Sequence, residues 1–323
     1  MVVVQSSLSR KQLQVICCYT QLKSYQMANE LLSFRGHNEA AVRLYLQHWM
    51  CQYQTGFLLN PKIPTQKEDL MILDVACGSG IWLIELSRSL PPSAKLTGFD
   101  ISPSHFPPKS ELPSNVTLET SDAFQPVPDH MIGKYDIVHV GRINMFVRFE
   151  NPGPVLQNFI QMLKPGGYLQ WDELDVGGML PKNTDSCTEH PCYDQLHEMG
   201  KVWMETQGCT TRQEINIQTL VPLANLFYRW VGEMSGLFES HGLKIHDFQR
   251  LPTHNHMARP WTAMQVMAFH DFIENDVIPS TKGNPALPSA EKWRELLSGV
   301  EGETQKGLRL LVDHVYCVGS RSL

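Results

Sequence analysis

A short apolar run, LMILDVA at residues 70–76, passes directly into Cys77-Gly78-Ser79-Gly80 and then into a helical pattern carrying Leu83, Leu86 and Leu90. No other segment restricts the fold as much. A strand with no polar face has to be buried on both sides, and a glycine turn leading into an amphipathic helix is the connection that seats such a strand in a parallel sheet under helices. Pro91-Pro92 stops the helix. The alternation then repeats: KLTGFD at 95–100, NVTLETSD at 115–122 and YDIVHVG at 135–141 read as strands. Pro154 opens a helix with Val155, Leu156, Phe159, Ile160 and Leu163, which Lys164-Pro165-Gly166-Gly167 ends before YLQWDELD at 168–175. LKIHDFQRL at 243–251 and HVYCVGS at 314–320 complete the set. The prediction is an α/β fold with a doubly wound, mainly parallel, seven-stranded sheet.

Three segments fall outside that sheet: residues 1–68, 176–222 and 252–311. The first carries a short helical segment at Tyr25 to Leu32 and a helical face of Val42, Tyr45, Leu46, Trp49 and Tyr53. Trp293, Leu296, Leu297 and Val300 mark a helix in the third. All three are too apolar for linkers and are expected to assemble as a helical lid over a ligand. The domain reading is a lid at 1–68, a cofactor-binding half at 69–175, a helical insertion at 176–222, and a C-terminal half at 223–323 interrupted by an insertion at 252–311. A helix with Leu223, Leu226, Phe227, Trp230, Val231, Met234, Leu237 and Phe238 leads into the sixth strand and ends at Gly242.

Charge and cysteine usage narrow the partners. With 27 Lys plus Arg against 33 Asp plus Glu, the net charge is -6, which leaves little surplus for tracking a phosphate backbone. No nucleic-acid partner is expected. No apolar run approaches the ~20 residues that cross a bilayer, and the opening has no stretch of signal-peptide length, so no membrane partner and a cytoplasmic location are expected. The 8 cysteines then remain thiols. Cys187 and Cys192 lack a second pair at zinc-ribbon spacing, and His254 and His256 lack a third ligand, so no metal is expected.

In a parallel sheet the ligand sits at the carboxyl ends of the strands, cradled by the first strand-to-helix turn. Gly78 and Gly80 let the backbone approach a ligand, and Asp100, at the end of the second strand, suits a carboxylate accepting both hydroxyls of a ribose. A dinucleotide is the rival. G-x-G-x-x-G requires glycine at position 83, where the chain has Leu83, which disfavours a pyrophosphate and a nicotinamide oxidoreductase.

LDVACGSG, Asp100 in GFDIS, Asp122-Ala123-Phe124, YDIVHVG and LKPGGYL occur in an order that resembles class I S-adenosylmethionine-dependent methyltransferases. RLYLQHW, DISPSHFPP and LKPGGYLQWDE are similar more narrowly to the fungal secondary-metabolite methyltransferases, over about residues 25–175. The resemblance implies a Rossmann-like core and S-adenosyl-L-methionine as cofactor. It implies that Asp74, Ala76, Gly78 and Gly80 surround the methionine part, Asp100 and Ile101 the ribose, and Asp122 the adenine amino group with Ala123 and Phe124 against the ring. Val140, Gly141 and Arg142 would follow beneath the sulfonium. Asp122 is also an ordinary turn residue before Pro126. Ala76 and Cys77 depart from the family's usual glycine, and Cys77 reads as packing, because methyl transfer needs no covalent enzyme intermediate.

Such a transfer needs the acceptor lone pair in line with the methyl–sulfur bond and water kept out. An oxygen acceptor also gains from a base of near-neutral pKa. His48 on the helix before the sheet is the candidate base, with a capping role as its alternative. Glu173, with Asp172, sits where strand five reaches the binding edge and is a second catalytic candidate, or else a solvated strand end. Trp171, Trp230, Phe227 and Trp261 fit an aromatic acceptor pocket or plain core, with core favoured. Asn151-Pro152-Gly153-Pro154 and Pro191-Cys192 read as turns, and His139 as a buried mid-strand residue. The function expected is methyl transfer to an oxygen or nitrogen of a small secondary-metabolite acceptor. The alternative is a cofactor-binding relative that does not methylate, such as a regulator or a repurposed cyclase. Oligomeric state is left open.

Overall fold

The computed structural model describes residues 38–147, 151–183, 189–206, 229–281, 284 and 287–323. In chain order it contains helix α1 (Asn38–Thr55), strand β1 (Met71–Val75), helix α2 (Ile81–Ser87), strands β2 (Lys95–Asp100), β3 (Val116–Thr120) and β4 (Tyr135–Gly141), helix α3 (Gly153–Met162) and strand β5 (Leu163–Asn183). Helices α4 (Pro191–Thr206), α5 (Arg229–Gly232) and α6 (Met234–Ser240) precede strand β6 (Leu243–Leu251). Helix α7 (Ala258–Phe272), a π-helical turn (Ile273–Val277), and helices α8 (Ile278–Thr281) and α9 (Ala290–Gln305) lead to strand β7 (Leu308–Arg321). The strands form one seven-stranded sheet in the order β3-β2-β1-β4-β5-β7-β6. All neighbours up to β5 are parallel, and β7 is antiparallel to both of its partners. The doubly wound sheet expected from the alternation is therefore present.

Four of the five residues of β1 are buried, as an apolar strand at the centre of a two-sided sheet requires. One face carries Trp82, Leu83, Leu86, Leu96 and Ile137, sealed by the connector around Phe57 to Ile63. The other carries Phe159, Trp171, Trp230 and Phe238 beneath α3, α5 and α6. Gly98 of β2 sets how closely α2 approaches: a Cβ there would lie 2.7 Å from Leu83 Cδ1 and 2.9 Å from Cys77 Sγ. Any side chain would push the helix and the glycine turn away from the sheet.

The insertions are not purely helical. β5 runs on to Asn183 and β7 begins at Leu308, so residues 176–183 and 308–311, expected in the lid, belong to the sheet. After a register shift past Asp175, the pairs Leu180↔Leu311 to Asn183↔Leu308 carry the ribbon beyond β6, whose pairing with β7 stops at His314. Its period-two pattern explains it: Leu308, Leu310 and Val312 are buried while Arg309, Leu311 and Asp313 are partly exposed. Leu308 and Leu310 anchor a separate apolar cluster with Tyr193, Trp203, Val277, Trp293 and Leu297. α1 joins through Met50, Cys51, Trp261, Met264 and Val312. α1, α4 and α7 to α9 thus pack around a β-ribbon.

Pro191-Cys192, expected as a turn, opens α4 instead. The buried Glu303 accepts from the Cys192 and Tyr193 amides at 2.7 and 3.0 Å, capping that helix from α9. The pattern expected as one helix over 223–238 breaks after Gly232, where α5 ends and α6 begins at Met234. Leu223, Leu226 and Phe227, the segment at Tyr25 to Leu32, and Cys187 lie outside the described residues. Among the described residues no helix is long and apolar enough to cross a membrane.

Candidate functional site at the carboxyl edge

The winding direction of the sheet reverses between β1 and β4, and the crevice at their carboxyl ends is the natural ligand site of such a sheet. β1 ends in a turn with three left-handed residues, Ala76 (φ 54°), Gly78 (φ 54°) and Gly80 (φ 73°), the last serving as N-cap of α2. The Cys77 amide donates to the Phe99 carbonyl at 3.0 Å, stitching the turn to β2. At Gly78 a Cβ would meet only Leu44 Cδ1 of α1, at 3.9 Å, an ordinary contact, so it is the left-handed φ and not crowding that favours glycine there. The Ser79 hydroxyl oxygen in the same turn is buried without a protein partner.

Asp100 lies against this turn. One carboxylate oxygen accepts from the Gly78 amide at 2.9 Å, the other from Ser102 at 3.0 Å. Burial raises its pKa, and the two amides oppose that rise. Ile101 follows, half-buried in the bend. Asp122 is half-buried and accepts from the Phe124 amide at 2.9 Å, a local turn of the kind Asp favours. Ala123 is buried, whereas Phe124 is 44 % exposed, a free apolar ring at the edge of the crevice. Val140 is buried, Gly141 ends β4, and Arg142 (φ 60°) turns the chain, its amide donating to the Asp172 carbonyl at 2.8 Å. The structure brings these residues of β1, β2 and β4 to one edge. Burial pushes the Cys77 thiol well up, in keeping with a packing role.

The two catalytic candidates differ in setting. His48 is buried on α1, with its Nε2 3.0 Å from Glu85 of α2, which also accepts from the Trp49 indole at 2.8 Å. Burial lowers the His48 pKa more than Glu85 raises it. Glu173 is not a solvated strand end: it is fully buried on the face shared with Trp171. Its Oε1 accepts from Trp171 Nε1 at 2.8 Å and from the Ile143 amide at 3.0 Å, clamping the loop after β4. Burial pushes its pKa up to about 7, and its Oε2 has no partner.

The aromatic candidates are core. Trp171 packs on Phe159, Trp230 and Phe238, and Trp261 is buried with Met50 and Leu174. Phe227 lies outside the described residues. His254 and His256 stack on each other and meet Tyr53 edge-on, and no cluster of ligating side chains suited to a metal exists among the described residues.

His139, expected only as a buried mid-strand residue, is buried and polar-bonded on both ring nitrogens. It bridges Asp74 (Nδ1 to Oδ1, 2.7 Å) and Asp172 (Nε2 to Oδ2, 3.0 Å) with its ring stacked on Trp82 at 3.9 Å. His314 and Gln170 join through Asp172. The available signal was polar residues inside otherwise apolar strands, which require buried partners.

Comparison with known proteins agrees with this geometry. N-methyltransferase verN of Clonostachys rogersoniana is 35% identical over 157 residues, covering 48% of this chain and 52% of the relative. N-methyltransferase tcpN of Claviceps purpurea is 34% identical over 146 residues (45% and 51%), and methyltransferase grgD of a Penicillium species 39% over 144 residues (42% and 48%). The chain spans about half the length of these relatives. A family model described as a methyltransferase domain matches residues 46–214, a span that takes in most of α1, the glycine turn and all of β5. Since that match covers just over half of the residues, the chain belongs to the methyltransferase-domain family.

Proposed function

We propose that this chain binds S-adenosyl-L-methionine in the glycine turn and transfers its methyl group to a nitrogen or oxygen of a small-molecule acceptor held under the lid. The observation that carries this reading is the Asp100 carboxylate fixed on the Gly78 amide of the left-handed turn. A carboxylate with both oxygens already oriented by amides keeps lone pairs for two ribose hydroxyls. Ser79 supplies a buried hydroxyl in need of a partner, and the backbone amides opening α2 suit a polar or negative group. The cofactor, when bound, supplies an activated methyl group, so the protein's work is alignment and exclusion of water.

His48 takes the acceptor's proton in this reading. A buried neutral imidazole held at Nε2 by Glu85 keeps the Nδ1 lone pair for that task. Glu173 acts indirectly, through the loop at Ile143 that it holds against the site. A nitrogen acceptor is favoured by two of the relatives above being N-methyltransferases, and a secondary metabolite by the family resemblance. We place the protein in the cytoplasm, where the thiols of Cys51, Cys77 and Cys317 stay reduced.

The test is calorimetry with S-adenosylmethionine, followed by transfer of a labelled methyl group to small-molecule extracts. Binding that is lost in Asp100→Ala, with label appearing in an extractable metabolite, is expected. No binding at millimolar cofactor would refute the reading. In His48→Gln, transfer is expected to slow by about 10²–10⁴-fold with cofactor affinity unchanged.

A further inference from the structure

Beneath the glycine turn lies a file of buried side chains that the proposed transfer does not use. Strand register assembles it: Asp74 and His139 are direct partners across β1 and β4, and Asp172 lies two residues beyond Gln170, the β5 partner of His139. His314 on β7 stands opposite Leu174, with its Nε2 3.4 Å from Asp172 Oδ1, and Cys51 of α1 lies against its ring. Asp74, His139, Asp172, His314 and Cys51 are each no more than 4 % exposed. The file therefore runs from the strand that bears the glycine turn to the helix that roofs it.

Both ring nitrogens of His139 face carboxylate oxygens, at 2.7 and 3.0 Å, and each must donate to satisfy them. Only the doubly protonated ring does so. Burial alone would strip that proton, but Asp74 and Asp172 outweigh it and raise the His139 pKa, while Trp82 lies flat against the ring. His314, 3.4 Å from Asp172, adds a second cation: Cys51 and Asp172 raise its pKa to about 9 against the pull of burial. Gln170 donates to Asp172 at 2.8 Å, and the other titratable groups that approach the file are Arg142, His48, Asp100, Cys77, Tyr316 and Cys317.

We propose that His139 and Asp172 are positioning residues for the cofactor: they hold Asp74, two residues before the first left-handed residue of the turn, in a single direction. The proposal rests on the reading of that turn as an S-adenosylmethionine cradle. His139 fixes Asp74, Asp172 fixes the charge of His139, and neither touches the reacting atoms.

The test is calorimetric titration of the full chain with S-adenosylmethionine from pH 6 to 9, comparing the unaltered protein with His139→Leu, His139→Gln and Asp172→Asn. His139→Leu is expected to weaken binding at least tenfold, and His139→Gln, which keeps an N–H donor, to recover part of that loss. In Asp172→Asn the alkaline fall in affinity is expected to begin at lower pH, because His139 loses the carboxylate that keeps it protonated. Nitrogen NMR of labelled histidine is expected to report a doubly protonated His139 at pH 7 in the unaltered protein and its loss at lower pH in Asp172→Asn. If His139→Leu fails to fold, His139→Gln and Asp172→Asn decide the matter. Folded variants that bind within twofold of the unaltered protein, with the same pH dependence, would overturn the positioning role alone. Absence of binding by the unaltered protein would overturn the cradle reading and this role together.

Discussion

Asp172 and Glu173 are neighbours in β5, both buried, yet they point to opposite faces of the sheet and carry opposite expectations of charge. Asp172 faces Trp82 and the α2 side, where a hydrogen bond from His139 and the charge of His314, 3.4 Å away, overcome burial and hold it far below the ordinary carboxylate range. Glu173 faces the apolar layer around Trp171, where an indole and an amide are too little against burial, and its pKa climbs to about 7. One peptide bond separates an obligate anion from a group that titrates near neutrality. The partners on each face, not the residue type, set the charge.

The largest effect should come from emptying the ionic face. Asp172→Ala leaves two buried imidazoliums with one carboxylate and is expected to cost about 3–5 kcal/mol of stability, read from chemical denaturation at pH 7. A cost below about 1 kcal/mol would mean that the two faces are equivalent. Next comes the pH dependence of the apolar face. The folded pKa of Glu173 lies above its unfolded value of 4.5, so its contribution is fully present below that value and is lost as pH rises through about 7. The unaltered protein should lose on the order of 3 kcal/mol relative to Glu173→Gln between pH 4.5 and 8.5. Parallel curves for the two proteins would contradict the assignment. The smallest effect concerns the ring stacked on the file: a double-mutant cycle of Trp82→Phe and His139→Gln should give a coupling of about 1 kcal/mol, and zero coupling would show that the imidazolium gains nothing from its indole neighbour.

The same contrast marks what the sequence could and could not disclose. The glycine turn and Asp100 lie within 22 residues of each other, and their roles follow from strand order and one local spacing. Asp74, His139 and Asp172 are joined across 65 and 33 residues, and only the ladder between β1, β4 and β5 brings them level. Strand boundaries at β1 to β4 were legible because each is an apolar run bounded by turn residues. The ribbon was missed because Gly177-Gly178 resembles a strand end, although Leu308, Leu310 and Val312 already alternated in the expected way. Glu173, expected at a strand end, lies inside β5 and is fully buried. Its orientation depends on the parity of the pleat, which sequence position alone does not fix.

The ribbon beyond Asp175 and Asp313 has a mechanical consequence. Floor and roof share two uninterrupted backbones, so lifting this side of the roof as a rigid body would tear the four ladder pairs from Leu180↔Leu311 to Asn183↔Leu308. That side behaves as a cantilever fixed to its foundation. α1, by contrast, reaches the sheet through a turn-rich connector, and it is held there by the packing of Met50 and Cys51 against Trp261 and Met264 together with contacts such as Arg43 with Asp271 and His48 with Glu85.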